Sequence, residues 1–131
     1  MKKLLYILAL TTVLSACRKE NNAIDFQGTY AGTFKVIATS PAIETQIKLS
    51  RNNFKVEKGI KLGSGYFKVE SKKTVVFTDT NVWTADFDAN LVLSGSYTYE
   101  ALGDSLILTK DFEGMTQPSD NYQYKLKRIQ R

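Results

Sequence analysis

From Phe26 onward the apolar side chains recur at every second position, and no stretch shows the 3.6-residue period of a helix. Tyr30, Phe34 and Val36 share one face with Gly28 and Gly32. Ile43, Thr45, Ile47 and Leu49 alternate with Glu44, Gln46 and Lys48. The same period continues through Phe54 and Val56, Phe67 and Val69, and Val75 and Phe77. It resumes at Leu91, Leu93, Tyr97 and Tyr99, then at Leu106 and Leu108, and ends with Tyr122, Tyr124 and Leu126. Turn-forming residues separate these runs at short intervals, among them Asn52-Asn53, Lys58-Gly59, Ser71-Lys72, Gly103-Asp104 and Pro118-Ser119-Asp120. The pattern predicts an all-β chain of about eight strands. Short links between successive strands favour an antiparallel meander, and a meander of that size closes into an up-and-down barrel with no free edge. A β-sandwich is the alternative. The cysteine pair that bridges the sheets of a large class of sandwiches has no counterpart in a chain with one cysteine.

The first residues follow a different pattern. Met1-Lys2-Lys3 opens on charge, Leu4–Val13 is apolar, and Leu14-Ser15-Ala16-Cys17 brings small residues up to the lone cysteine. This layout is that of a secretory signal peptide, and it falls short of the roughly 20 apolar residues a membrane-spanning helix needs. Leu14-Ser15-Ala16-Cys17 resembles the lipobox of bacterial lipoproteins. That resemblance implies diacylglycerol on Cys17 as a thioether, cleavage before Cys17, and acylation of the new amine. Two or more acyl chains make a stable membrane anchor where one does not. Lysine at position 19, in place of aspartate, implies sorting to the outer membrane by the enteric rule. The expected organisation is therefore a leader over 1–16, an acylated Cys17 with a polar tether over 17–25, and a barrel over 26–131. An extended tether of this length reaches about 30 Å at ~3.3–3.6 Å per residue.

Both ends of the barrel segment are similar to lipocalin-type folds. Lipocalins open their first strand with Gly-x-Trp, and an arginine on the last strand covers that indole at the closed end. Here Gly28-Thr29-Tyr30 takes the first place and Arg128 shares parity with Tyr124 and Leu126. The resemblance implies a barrel-closing pair, Tyr30 with Arg128, in cation–π contact. The chain looks most like the small lipocalin-like lipoproteins of Gram-negative bacteria. It shares with them Gly28-Thr29-Tyr30-Ala31-Gly32, Leu93-Ser94-Gly95-Ser96-Tyr97, Gly103-Asp104-Ser105-Leu106 and Tyr124-Lys125-Leu126-Lys127-Arg128. Most members of that group have no assigned activity, so the resemblance speaks to fold more than to function.

Composition removes several chemistries. The chain has no histidine, so Ser-His-Asp and Cys-His catalysis and the usual zinc sites lack a supplier. An acylated Cys17 leaves no thiol for a disulfide. Gly103-Asp104-Ser105-Leu106 spells the nucleophile block of GDSL esterases, but a serine needs an adjacent base, and a hairpin turn explains the same residues. Asp86-Phe87-Asp88-Ala89-Asn90 begins like a calcium loop, yet Leu91 stands where glycine is needed and Tyr97 where glutamate is needed. A carboxylate hydrolase would have to draw on Asp79, Asp86 and Asp88. No catalytic residue, metal site or cofactor is expected.

The aromatic residues offer more. An eight-stranded barrel is just wide enough to be filled by side chains or to hold one small ligand. If a cavity is present, Tyr97, Tyr99 and Tyr124 are the candidate walls for a small apolar ligand, and Trp83 the candidate rim. If it is absent, the same residues form a solid core and the protein works as a structural or interaction module. Charge is also uneven. Residues 48–73 carry eight basic against two acidic side chains, and 79–120 carry one lysine against eight acidic ones. A meander keeps neighbours together, so a basic and an acidic flank are expected. The basic flank suits an anionic glycan, lipid or protein. The net charge of +5, two lysines of which lie in the leader, makes no case for nucleic acid. The location expected is the cell envelope.

Overall fold

The computed structural model describes residues 25–112 and 121–131. Cys17, the leader and the Pro118-Ser119-Asp120 turn lie outside the described residues. Eight strands follow in order: β1 (Gly28–Lys35), β2 (Ile43–Ser50), β3 (Asn53–Lys58), β4 (Ser64–Val69), β5 (Thr74–Asp79), β6 (Gly95–Leu102), β7 (Ser105–Lys110) and β8 (Gln123–Gln130). Each pairs antiparallel with the next, and β1 pairs with β8 to close the barrel. Apart from the strands, the described residues hold one turn of 3₁₀ helix, Ala89–Leu91, capped by Asp88.

Closure depends on a close approach of the first and last strands. Gly32 stands opposite Leu126, and a Cβ there would lie 1.9 Å from the Lys125 carbonyl oxygen. Only glycine lets the two backbones meet at that point. Further down, the register shifts by one between Thr29 and Tyr30, so Thr29 faces Gln130 while Tyr30 faces Arg128. The extra residue is Ile129, and this bulge leaves Ile129 exposed while Arg128 keeps its place on the inner face.

The barrel has a turn end and a loop end. The turn end gathers the start of β1, the β2–β3 and β6–β7 turns, and the β4–β5 turn over 70–73. Leu102 pairs with Ser105, so Gly103-Asp104 is a two-residue loop. Gly103 has φ of +59°, as the first central position of a type II′ hairpin turn requires. The loop end carries the four longer connections, the longest from Thr80 to Ser94.

Inward side chains make one continuous core, with Ile47, Tyr97, Leu93, Leu106, Leu108 and Val75 among its most enclosed members. Phe26 lies ahead of β1 and is buried across the turn end. It meets Tyr99 edge-on at 5.0 Å and Phe67 at 6.3 Å between ring centroids. It plugs that end of the barrel.

Several local expectations need adjusting. Leu91 belongs to the 3₁₀ turn and Leu93 to the loop after it, and both join the core without strand pairing. Tyr122 has φ of +48° and precedes β8. Val69 has the inward parity of Phe67 but is exposed, because β3 pairs with β4 only through Ser64, Gly65 and Tyr66 and leaves the end of β4 uncovered.

Candidate functional site: a filled interior, two capped ends and a charged face

At the turn end, Arg128 and Tyr30 face one another across β1 and β8. Arg128 donates from Nε to the Tyr30 hydroxyl at 3.0 Å and from Nη2 at 2.7 Å. Its guanidinium carbon lies 5.3 Å from the Tyr30 ring centroid. Nη2 also donates to the Asp25 carbonyl oxygen, and Nη1 is 3.9 Å from the Asp104 carboxylate. The side chain is 10% exposed. One cation thus ties together the lead-in segment, β1, β8 and the β6–β7 turn, and the Tyr30 hydrogen bond favours its charged form further.

The four candidate ligand residues do not surround a common space. Tyr97 is 0% exposed, edge-on to Phe77 at 5.6 Å and to Tyr124 at 6.1 Å. Tyr124 stacks obliquely on Phe34 at 4.5 Å. Tyr99 lies towards the turn end and donates its hydroxyl to the Ser71 carbonyl at 2.9 Å. Trp83 sits in the long loop at the opposite end. Between the inward side chains of Phe34, Thr45, Val56, Leu91 and Tyr124 there is a cavity of about 10 Å³. That is the size needed for one water at most, against several hundred Å³ for a small-molecule pocket.

Burial leaves its mark on the interior phenols. Desolvation pushes the ionisation of Tyr97 and Tyr124 well above the ordinary tyrosine range. Among the described residues the Tyr97 hydroxyl has no hydrogen-bond partner. The Ser94 backbone amide is near enough to favour the ionised form slightly, but does not bond it.

The loop end is braced by polar and cation–π contacts. Trp83 donates Nε1 to Asp79 at 2.9 Å, and the Asn81 backbone N–H donates to the same carboxylate at 2.7 Å. Lys61 lies 3.7 Å from the Phe87 ring centroid and 5.8 Å from that of Trp83. Asp88 accepts from the Asn90 backbone N–H at 3.0 Å and from the Tyr122 hydroxyl, whose bond holds its carboxyl below the usual range. Lys110 points inward opposite Tyr97, donates to the Ser94 carbonyl, and lies 5.0 Å over the Tyr97 ring. Its half-burial lowers the ammonium pKa, an effect Asp88 partly opposes.

These contacts use the groups that motif reading had singled out. Asp79 and Asp88 hold loop structure, and Asp86 accepts from the Thr84 hydroxyl. Among the described residues no three metal-ligating side chains converge. Ser105 is exposed at the foot of the β6–β7 hairpin. Sequence reading missed Phe26, Lys61 and Lys110. Parity with Leu106 and Leu108 was the signal that could have put Lys110 inside.

On the outer face of β2 and β3, Lys48 pairs directly with Lys55. Arg51, in the turn between them, has φ of +54°. Beside this turn an open groove of about 710 Å³ runs along the uncovered end of β4, lined by Phe26, Arg51, Tyr66, Phe67, Lys68 and Val69. Of the basic flank expected from sequence, Lys48, Arg51, Lys55, Lys68, Lys72 and Lys73 lie on β2–β4 and the turns at their turn end, whereas Lys58, paired with Glu44, and Lys61, over Phe87, lie at the loop end.

No protein-family profile matches the chain, and neither the curated proteins nor the solved structures yield a match.

Proposed function

We propose that this chain is a lipid-anchored cell-envelope protein, held in the outer membrane through acylated Cys17. Its barrel is a non-enzymatic, filled scaffold that works through its outer surface. The filled interior carries the proposal. A ligand taken into the barrel would have to displace Tyr97, Tyr124 and Leu108, which occupy the space it needs. The lipobox-like Leu14-Ser15-Ala16-Cys17 supports the anchor, and the eight-stranded closed barrel is compatible with a lipocalin-like relationship. Support for the scaffold reading over a hydrolase comes from Asp79 and Asp88, whose carboxylates brace the loop end.

Native mass spectrometry of the protein extracted gently from its own host tests this. The expected result is a barrel that carries no retained small molecule. An apolar molecule released only when the chain unfolds would overturn the scaffold reading in favour of ligand capture.

A further inference from the structure

The basic face of β2–β4 has no internal use for its charge. Lys48 and Lys55 stand directly opposite each other, an arrangement that costs stability in a sheet. Arg51 holds a left-handed backbone conformation that a non-glycine residue rarely adopts. Lys68 follows Tyr66 on the outer side of β4, and Lys72 and Lys73 occupy the β4–β5 turn at the same end. All six basic side chains are exposed, and among the described residues none of them forms an ion pair. Three carboxylates share the region. Glu57 lies on the outer side of β3 and accepts from the Gln46 side-chain amide at 2.7 Å, Glu70 lies in the β4–β5 turn, and Asp25 accepts from the Gln27 backbone amide at 2.9 Å. The excess of positive charge remains large.

Position adds to charge. The described chain begins at Asp25, which itself lines the groove beside Arg51, Tyr66, Lys68 and Val69. Only seven residues, 18–24, lie between Cys17 and Asp25, eight steps that span at most ~29 Å at ~3.6 Å each. An anchor at Cys17 therefore keeps the turn end, and the basic face with it, close to the bilayer. Tyr66 is 52% exposed and Val69 is exposed beside it, so the groove also offers amphipathic and apolar side chains at headgroup depth.

We infer that this face docks on the anionic phospholipid headgroups of the membrane that holds the anchor. The inference deepens the anchored-scaffold reading and rests on it for the barrel's orientation. Lys48, Arg51, Lys55, Lys68, Lys72 and Lys73 meet lipid phosphates, and Tyr66 and Val69 settle between headgroups.

The test uses the chain from residue 17 carrying Cys17→Ser, which retains the whole hydrogen-bonded sheet and needs no acylation. Its partition is measured on vesicles of phosphatidylcholine with and without phosphatidylglycerol. Binding is expected only with phosphatidylglycerol, and it falls as salt is raised. Each basic residue at the surface contributes roughly fivefold in partition. The Lys48→Gln/Lys55→Gln pair should therefore weaken binding about 25-fold, while the charge-matched Lys35→Gln/Lys125→Gln pair changes it little. The first pair removes a repulsion, so its melting temperature should not fall below the parent's, which excludes misfolding as the cause. Equal binding to neutral vesicles, equal losses from the two pairs, or no binding at all would each overturn the inference. A salt-sensitive dimer without lipid binding would also overturn it and assign the face to a second copy. A free Cys17 in the native protein would overturn the anchor separately, because the vesicle assay does not depend on it.

Discussion

Tyr97→Phe should make this protein more stable. The ring is fully enclosed and packs edge-on against Phe77 and Tyr124, with Lys110 over its face. Phenylalanine keeps all three contacts. What it removes is a buried hydroxyl with no partner among the described residues. Leaving such a group unsatisfied costs about 1–3 kcal/mol, so the variant should gain about 1–2 kcal/mol once slight local adjustment is allowed. For a domain of this size that is a rise of roughly 5–10 °C in Tm by calorimetry. Alkaline stability gives a second reading. Burial raises the ionisation of Tyr97 above its unfolded value, so its neutral form stabilises the fold fully below pH about 10 and loses that contribution as pH rises further. The variant should therefore unfold at a higher pH than the parent. Tyr99→Phe is the contrast, because it deletes the 2.9 Å bond to the Ser71 carbonyl and should cost about 0.5–1.5 kcal/mol. A Tyr97→Phe protein that melts below the parent, as Tyr99→Phe does, would refute the reasoning.

Further predictions concern closure, strain and acid. Gly32→Ala places a Cβ against the Lys125 carbonyl oxygen and should cost about 3 kcal/mol or more, read by denaturant unfolding. Arg128→Met leaves the Tyr30 hydroxyl and the Asp25 carbonyl without their donor and should cost about 2–4 kcal/mol. Amide hydrogen exchange should then rise first along the β1–β8 seam. Arg51→Gly relieves a left-handed backbone and should raise stability by about 0.5–1 kcal/mol in thermal melts. The Asp88 carboxyl is held low chiefly by the Tyr122 hydroxyl. Its contribution is present above pH about 4 and is lost as pH falls through the depressed folded value. Tyr122→Phe should flatten the acid side of the stability curve.

The barrel was legible because one inner face per strand leaves an unmistakable period of two, and short turns allow only neighbours to pair. Residues such as Ile47, Phe77 and Leu108 needed nothing more than parity to be placed. Leu91 and Leu93 were read as strand because the same parity runs on through a loop, where burial comes from capping the barrel end and no ladder is present. Phe26 escaped notice as a plug since a single aromatic ahead of the first strand has no period to reveal it. Whether the tyrosines line a pocket or fill it depends on a few ångströms of packing between Tyr97, Tyr124 and Phe34. Alternation along a strand carries no information at that scale. The basic face was visible as a run of charge, but its position beside the lead-in segment required the closed topology.

Intact-mass spectrometry of the protein purified from its own cell envelope tests the anchored-scaffold account most directly. The account predicts a chain that begins at Cys17 and carries the added mass of its acyl chains. A chain that retains residues 1–16, or one whose Cys17 remains a free thiol, would contradict it.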